Sequence, residues 1–142
     1  MLYLGADHAG YLLKEYIRTR LAERGVSFED FGAFAEEAGD DYPVYAKRVS
    51  SAILKHGGRG ILFCDSAEGM VMSANRSKGI RAAVTWSPAV AKRTREDNDA
   101  NIISLPAHYI THEEAWEIVL TFLSTTFSYA ERHKRRIKQL DE

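Results

Sequence analysis

Short apolar runs alternate with amphipathic stretches along the chain, and this alternation is its strongest structural signal. Leu2 to Ala6 is a five-residue apolar run that ends in Asp7-His8-Ala9-Gly10. After it, Leu12, Leu13, Tyr16, Ile17 and Leu21 recur at helical spacing up to Gly25. The expectation is a strand, a polar turn and a helix. Val26 to Phe31 alternates as a strand does, and Gly32 to Asp41 is polar and acidic enough to be a loop. Pro43 sits where a first helical turn accepts proline. Tyr45, Ala46, Val49, Ala52 and Ile53 then form one face before the Gly57-Gly58 stop. The third strand is Gly60 to Cys64, followed by a helix of small residues through about Arg76. Arg81 to Thr85 reads as the fourth strand. Ser87 as cap and Pro88 at the first position start a helix through about Glu96, and Asp97-Asn98-Asp99 reads as a polar turn. Asn101 to Leu105 is the fifth strand, Thr111 opens a helix with a capping-box pattern that runs to about Leu123, and Ser128 to Leu140 is a last helical segment.

Strands and helices alternating this regularly predict an α/β fold: a three-layer α/β/α sandwich, Rossmann-like, with a five-stranded parallel sheet and a C-terminal helix. The length suits one domain spanning residues 1–142. If the second strand lies outside the first and the third on its other side, the crevice opens beyond the carboxyl ends of strands one and three. Asp7, His8 and Cys64 then share one edge.

Nineteen basic against twenty acidic residues leave a formal charge of −1, so no global field recruits nucleic acid or an anionic membrane. A single cysteine excludes an internal disulfide and suits a reducing cytoplasm. The first residues lack the basic flank and long apolar core of a signal peptide, and no run approaches the ~20 apolar residues of a membrane span.

Cys64 closes an apolar run and is followed by small and acidic residues leading into a helical pattern. The N–H groups of Ser66 to Gly69 are expected to face the thiol and lower its pKa. Taken alone, a lone cysteine is more often a buried structural residue. Arg132 and Arg136 are four apart, so a helix puts both guanidinium groups on one face, suited to gripping a phosphate; a solvated basic helix is the commoner fate of such a run. Asp7 alone could be a helix cap and His8 a hydrogen-bonded turn residue. Trp116, Phe122 and Phe127 read as core or dimer contacts, and His56, His108 and His112 form no metal-ligand pattern with Cys64.

Several dispersed motifs, in order, resemble the ribose-5-phosphate isomerase B and galactose-6-phosphate isomerase family of sugar-phosphate isomerases over the whole chain. They are Asp7-His8-Ala9-Gly10, Asp41-Tyr42-Pro43, Cys64 with its loop, Ala74-Asn75-Arg76, Gly79-Ile80-Arg81-Ala82, Asn98-Asp99-Ala100-Asn101, and Arg132-His133 with Arg136. The resemblance implies an aldose–ketose isomerisation through an enediolate, with no metal and no organic cofactor, on a phosphorylated sugar such as ribose 5-phosphate. It implies that Cys64 is the base, that Ser66 and the loop through Glu68 and Gly69 stabilise the enediolate, and that Asp7, His8, Tyr42 and Asn98 hold the sugar. Arg132 and Arg136 match the phosphate clamp. A homodimer with active sites at the subunit interface is implied too, while pairing of dimers into tetramers stays open.

Four positions depart from the family pattern. Asp65 and Ala67 stand where glycines are usual, Asp97 where a ring-opening histidine is usual, and His108 where a further phosphate-binding arginine is usual. Asp65 adds a carboxylate near an anionic intermediate, and Asp97 is left as the candidate for ring opening. His108 remains a candidate substrate contact whose strength depends on pH. Two alternatives stay beside a working isomerase: an enzyme of the same fold with an altered sugar-phosphate substrate, and a non-catalytic sugar-phosphate-binding or partner subunit.

Overall fold

The computed structural model describes all 142 residues, Met1–Glu142. Five strands, β1 (Leu2–Ala6), β2 (Phe28–Asp30), β3 (Arg59–Cys64), β4 (Ala82–Val84) and β5 (Ile102–Pro106), alternate with helices α1 (Tyr11–Glu23), α2 (Tyr42–His56), α3 (Glu68–Ala74), α4 (Pro88–Asn98) and α5 (His112–Ser124), and α6 (Glu131–Leu140) closes the chain. Every strand pair is parallel and the order is β2-β1-β3-β5-β4. The expected three-layer architecture is therefore the observed one, with β1 and β3 side by side and β2 outside them.

Both faces of the sheet are covered, which is why its central strands are apolar runs rather than alternating ones. On one face Leu4, Ala6, Ile61, Phe63, Ile103 and Leu105 pack against α1, α4 and α5, with Trp116 and Phe122 among the buried residues. On the other, Tyr3, Leu62 and Ile102 pack against α2 and α3. Ser87 Oγ accepts from Val90 N at 3.3 Å and Thr111 Oγ1 from Glu114 N at 3.1 Å, so both expected side-chain caps form. Two motif asparagines act as clasps. Asn75 exchanges two hydrogen bonds with the backbone of Ala82 at 2.8 and 2.9 Å, and Asn101 bridges Gly79 O and Arg81 N at 2.8 Å each, which fixes where β4 enters the sheet.

Four expectations need correction. The second strand is only Phe28–Asp30, although Phe31 and Ala33 still donate to Leu4 O and Ala6 O at 2.9 and 2.7 Å and keep the loop beside β1. On α1 the buried face contains Lys14 and not Leu12, which is exposed. Lys14 is fully buried because its Nζ meets Asp30 Oδ2 at 2.6 Å, the pairing a buried ammonium requires. Asp97 and Asn98 belong to the last turn of α4, and only Asp99, in the left-handed conformation, forms the turn. The last helix starts at Glu131 because Tyr129 has φ +60, which an entering helix cannot use.

One glycine decides how the carboxyl edge is assembled. A Cβ on Gly10 would lie 2.2 Å from the carbonyl carbon and oxygen of Phe63, so only glycine lets the turn after β1 press against the end of β3. Gly10→Ala is expected to destabilise by about 1–3 kcal/mol, read as a lower urea midpoint at unchanged m. An unchanged midpoint would mean the turn is not held against β3.

Candidate active site

The turn at the end of β1 and the last residue of β3 meet directly. Asp7 is buried; its Oδ1 accepts from Gly10 N at 3.0 Å and its Oδ2 accepts from Cys64 Sγ at 3.3 Å. This carboxylate thus both caps the turn and holds the thiol. Burial pushes the Cys64 thiol up to about 12, and the neighbouring Asp7 charge and its hydrogen bond add to that. Backbone N–H groups of Asp65 and Ala67, of which only Ala67 lies in the expected Ser66–Gly69 stretch, pull the other way but are outweighed. The expectation of a depressed thiol is therefore reversed in the single chain.

In the loop after Cys64, Asp65 and Ala67 stand where the resemblance leads one to expect glycines. Ala67 adopts φ +69, the left-handed conformation that glycine takes without strain, at a cost of about 1–2 kcal/mol. Asp65 is not in a positive-φ conformation, so its side chain costs the backbone nothing and stands exposed. Its carboxylate lies 3.6 Å from His108 Nδ1, and Asp65 O accepts from His108 N at 3.1 Å. Two of the four departures are thus one contact.

Gly69 is needed for a different reason. A Cβ there would lie 2.7 Å from the Tyr42 ring, so the glycine seats Tyr42, the first residue of α2, against the loop. Ser66 and Glu68 line a cleft of about 630 Å³ with Val84, Trp86, Pro106 and Tyr109, on the β4–β5 side of the loop. His8 follows Asp7 and is bound to Asp40, a residue the sequence reading passed over. His8 N and Nδ1 approach Asp40 Oδ1 at 3.1 and 2.7 Å, and Tyr45 Oη donates to Asp40 Oδ2 at 3.0 Å. Thirty-two residues separate the histidine from its partner, so no local spacing marked the pair.

The remaining candidates gather elsewhere. Arg81, at the amino end of β4, donates from Nε to Asn98 O and Asp99 O at 3.1 and 3.0 Å, which places the end of α4 at the amino edge of the sheet. There Asp97 meets Arg93 Nε at 2.9 Å and His133 Nε2 at 3.3 Å. Asp97, Asn98, His133 and Arg136 line one small cavity, and Arg132, exposed on α6, stands next to His133 in sequence. Cys64 lies at the carboxyl edge, about 15 Å away by the length of a five-residue strand. Within one chain the sequence-predicted residues form two clusters: Asp7, His8, Tyr42, Cys64, Ser66, Glu68, Gly69 and His108 at one edge, and Asp97, Asn98, Arg132 and Arg136 at the other. No three His, Cys, Asp or Glu side chains converge as a metal site would require.

Known proteins match this chain over nearly its whole length. The Ribose/Galactose Isomerase family profile matches residues 2–140. Ribose-5-phosphate isomerase B of Mycobacterium leprae (strain TN) is 39% identical over 142 residues, covering 99% of this chain and 88% of that protein. The crystal structure of a ribose 5-phosphate isomerase from Thermotoga maritima superposes with a TM-score of 0.95 at 44% identity, over 99% of this chain and 96% of that one. The structure of ribose-5-phosphate isomerase B from Mycoplasma genitalium with bound ribulose-5-phosphate superposes with a TM-score of 0.93 at 33% identity, over 98% and 92%. A match in sequence and fold over nearly the whole length means that the chain belongs to the ribose/galactose isomerase family.

Proposed function

We propose that the chain is an aldose–ketose isomerase of phosphorylated sugars, interconverting ribose 5-phosphate and ribulose 5-phosphate through an enediolate, in the cytoplasm and as a homodimer. The observation that carries this reading is the Asp7–Cys64 contact at 3.3 Å, a buried acid–thiol pair at the sheet edge where α/β folds bind ligands. Family membership supplies the substrate class.

Cys64, as thiolate, takes the proton from C2 of the open-chain aldose and returns it to C1, while the hydroxyl proton of O2 passes to O1, so that the aldehyde becomes an alcohol and C2 a ketone. Charge that develops on the two oxygens is met by N–H groups of the Ser66–Gly69 loop, by the Ser66 hydroxyl and by Asn98. Asp7, His8 and Tyr42 hold the sugar, Arg132 and Arg136 hold the phosphate, and Asp97, paired with His133, serves ring opening. Because Asn98, Asp97 and the arginines stand at the opposite edge from Cys64, a second copy supplies them. Closing that copy over Cys64 brings two guanidinium charges towards the crevice, which favours the thiolate that burial and Asp7 disfavour in the single chain.

A coupled assay of the purified protein with ribose 5-phosphate tests the activity, and absence of ketose product would overturn it. Subunit mixing tests the assembly. Cys64→Ala and Arg132→Ala should each be nearly inactive, whereas equal parts unfolded and refolded together should recover about a quarter of the wild-type rate, because half the dimers are mixed and each of these has one intact site. No recovery would place all the residues of a site in one subunit. Asp7→Asn removes a negative charge beside the thiol, so the only cysteine should be alkylated several-fold faster by iodoacetamide at mildly alkaline pH; an unchanged rate would leave burial as the sole cause of the raised thiol.

A further inference from the structure

Asp40 belongs to the loop between β2 and α2, and its side chain is only 8% exposed. A carboxylate so buried is costly unless its oxygens are satisfied, and here they are. Oδ1 accepts from the backbone N and faces the ring Nδ1 of His8, while Oδ2 accepts from the Tyr45 hydroxyl. The neighbouring Asp41 does a different job, standing at the N-cap position of α2. The loop that carries Asp40 is itself tied to β1 through Ala33 N to Ala6 O at 2.7 Å, so the carboxylate is delivered to the turn after β1 by backbone pairing. With Nδ1 committed, Nε2 of His8 is the ring nitrogen left without a partner in the chain, on a side chain 39% exposed.

We propose that Asp40 is a positioning residue for this isomerase: by accepting from Nδ1 it fixes the orientation of His8, so that Nε2 is aimed at an anionic oxygen of the sugar phosphate. The inference rests on the isomerase reading for its substrate but not for its geometry. The charges around His8 agree with it. The hydrogen bond to Asp40 raises the histidine above its ordinary value, against a smaller opposing effect of burial, and the carboxylates of Asp7, Asp40 and Glu36 add to the rise. Asp40, which burial alone would push up, is held below the usual carboxylate value by His8 and Tyr45. A donor that depends on protonation weakens as pH rises through the raised value, so Asp40 extends substrate binding towards higher pH.

Asp40→Asn keeps the shape and an acceptor oxygen while removing the charge, which isolates the proposed effect. Ring resonances of His8, assigned by their loss in His8→Gln, are followed against pH by NMR without substrate, and the pH dependence of KM and kcat is measured with ribose 5-phosphate. In Asp40→Asn the His8 midpoint is expected to fall towards the ordinary histidine value. KM above neutral pH should rise about 10-fold, the worth of one charge-assisted hydrogen bond, with kcat changed less than about twofold. Asp40→Glu, which restores the charge, should return the midpoint upward, and Asp40→Asn should add nothing to KM in the His8→Gln background. An unmoved midpoint in Asp40→Asn, or a KM limb that stays in place, overturns the inference while leaving the isomerase intact. If the wild-type protein converts no sugar, the isomerase reading fails, and the substrate-free titration still decides whether Asp40 governs the imidazole.

Discussion

The contact between the turn after β1 and the last peptide of β3 is the constraint from which the rest of the carboxyl edge follows. With no side chain at Gly10, backbone approaches backbone, and the two strand ends present Asp7 and Cys64 to each other as buried partners. Each strand end is held by its own layer: β1 between β2 and β3, β3 between β1 and β5, with helices covering both faces. The edge is therefore built on regular elements, to which the flanking loops add Ser66 and Asp40 and the start of α2 adds Tyr42. The placement has an electrostatic consequence. A thiol fixed beside a buried carboxylate stays protonated unless positive charge is brought to it, and the chain keeps its candidate cations on α6 at the far edge.

That separation gives assembly a chemical meaning. In a doubly covered parallel sheet each helix returns from the carboxyl edge to the amino edge, so residues at the end of α4 cannot meet residues at the end of β3 in the same chain. Arg81 makes this concrete by holding the carbonyls of Asn98 and Asp99 beside the start of β4. Under the isomerase reading, a single subunit carries an acid–thiol half-site at one edge and a phosphate-gripping half-site at the other. Joining unlike edges of two copies about a two-fold axis yields two equivalent sites, each electrostatically more balanced than either half.

Much of this was legible in the sequence, and what was missed has a common cause. The five strands, the Ser87 and Thr111 caps, the β1–β3 crevice and the placing of Asp7 and Cys64 at one edge follow from apolar runs, cap residues and the topology of parallel sheets, all of which are local or general rules. Lys14 broke the apolar pattern of α1 because a partner sixteen residues away, Asp30, makes its burial tolerable. Asp40 escaped notice because an acidic loop looks solvated until a fold carries one of its carboxylates to a histidine thirty-two residues earlier. The sign of the Cys64 shift was read wrongly for the same reason: the loop N–H groups are local, whereas burial and the Asp7 charge belong to the fold. Tertiary pairing of charges is what a one-dimensional pattern does not contain.

The four departures from the family pattern look different once those pairings are known. Asp65 faces His108 and Asp97 faces His133, so each substituted carboxylate has found an imidazole. At the carboxyl edge Asp65 and His108 bring a carboxylate and an imidazole to within 3.6 Å of each other. At the amino edge Asp97 is paired as well, with Arg93 Nε at 2.9 Å and His133 Nε2 at 3.3 Å. A scaffold held by Gly10, Asn75 and Asn101 tolerates these departures because none of the substituted side chains takes part in holding the strands together.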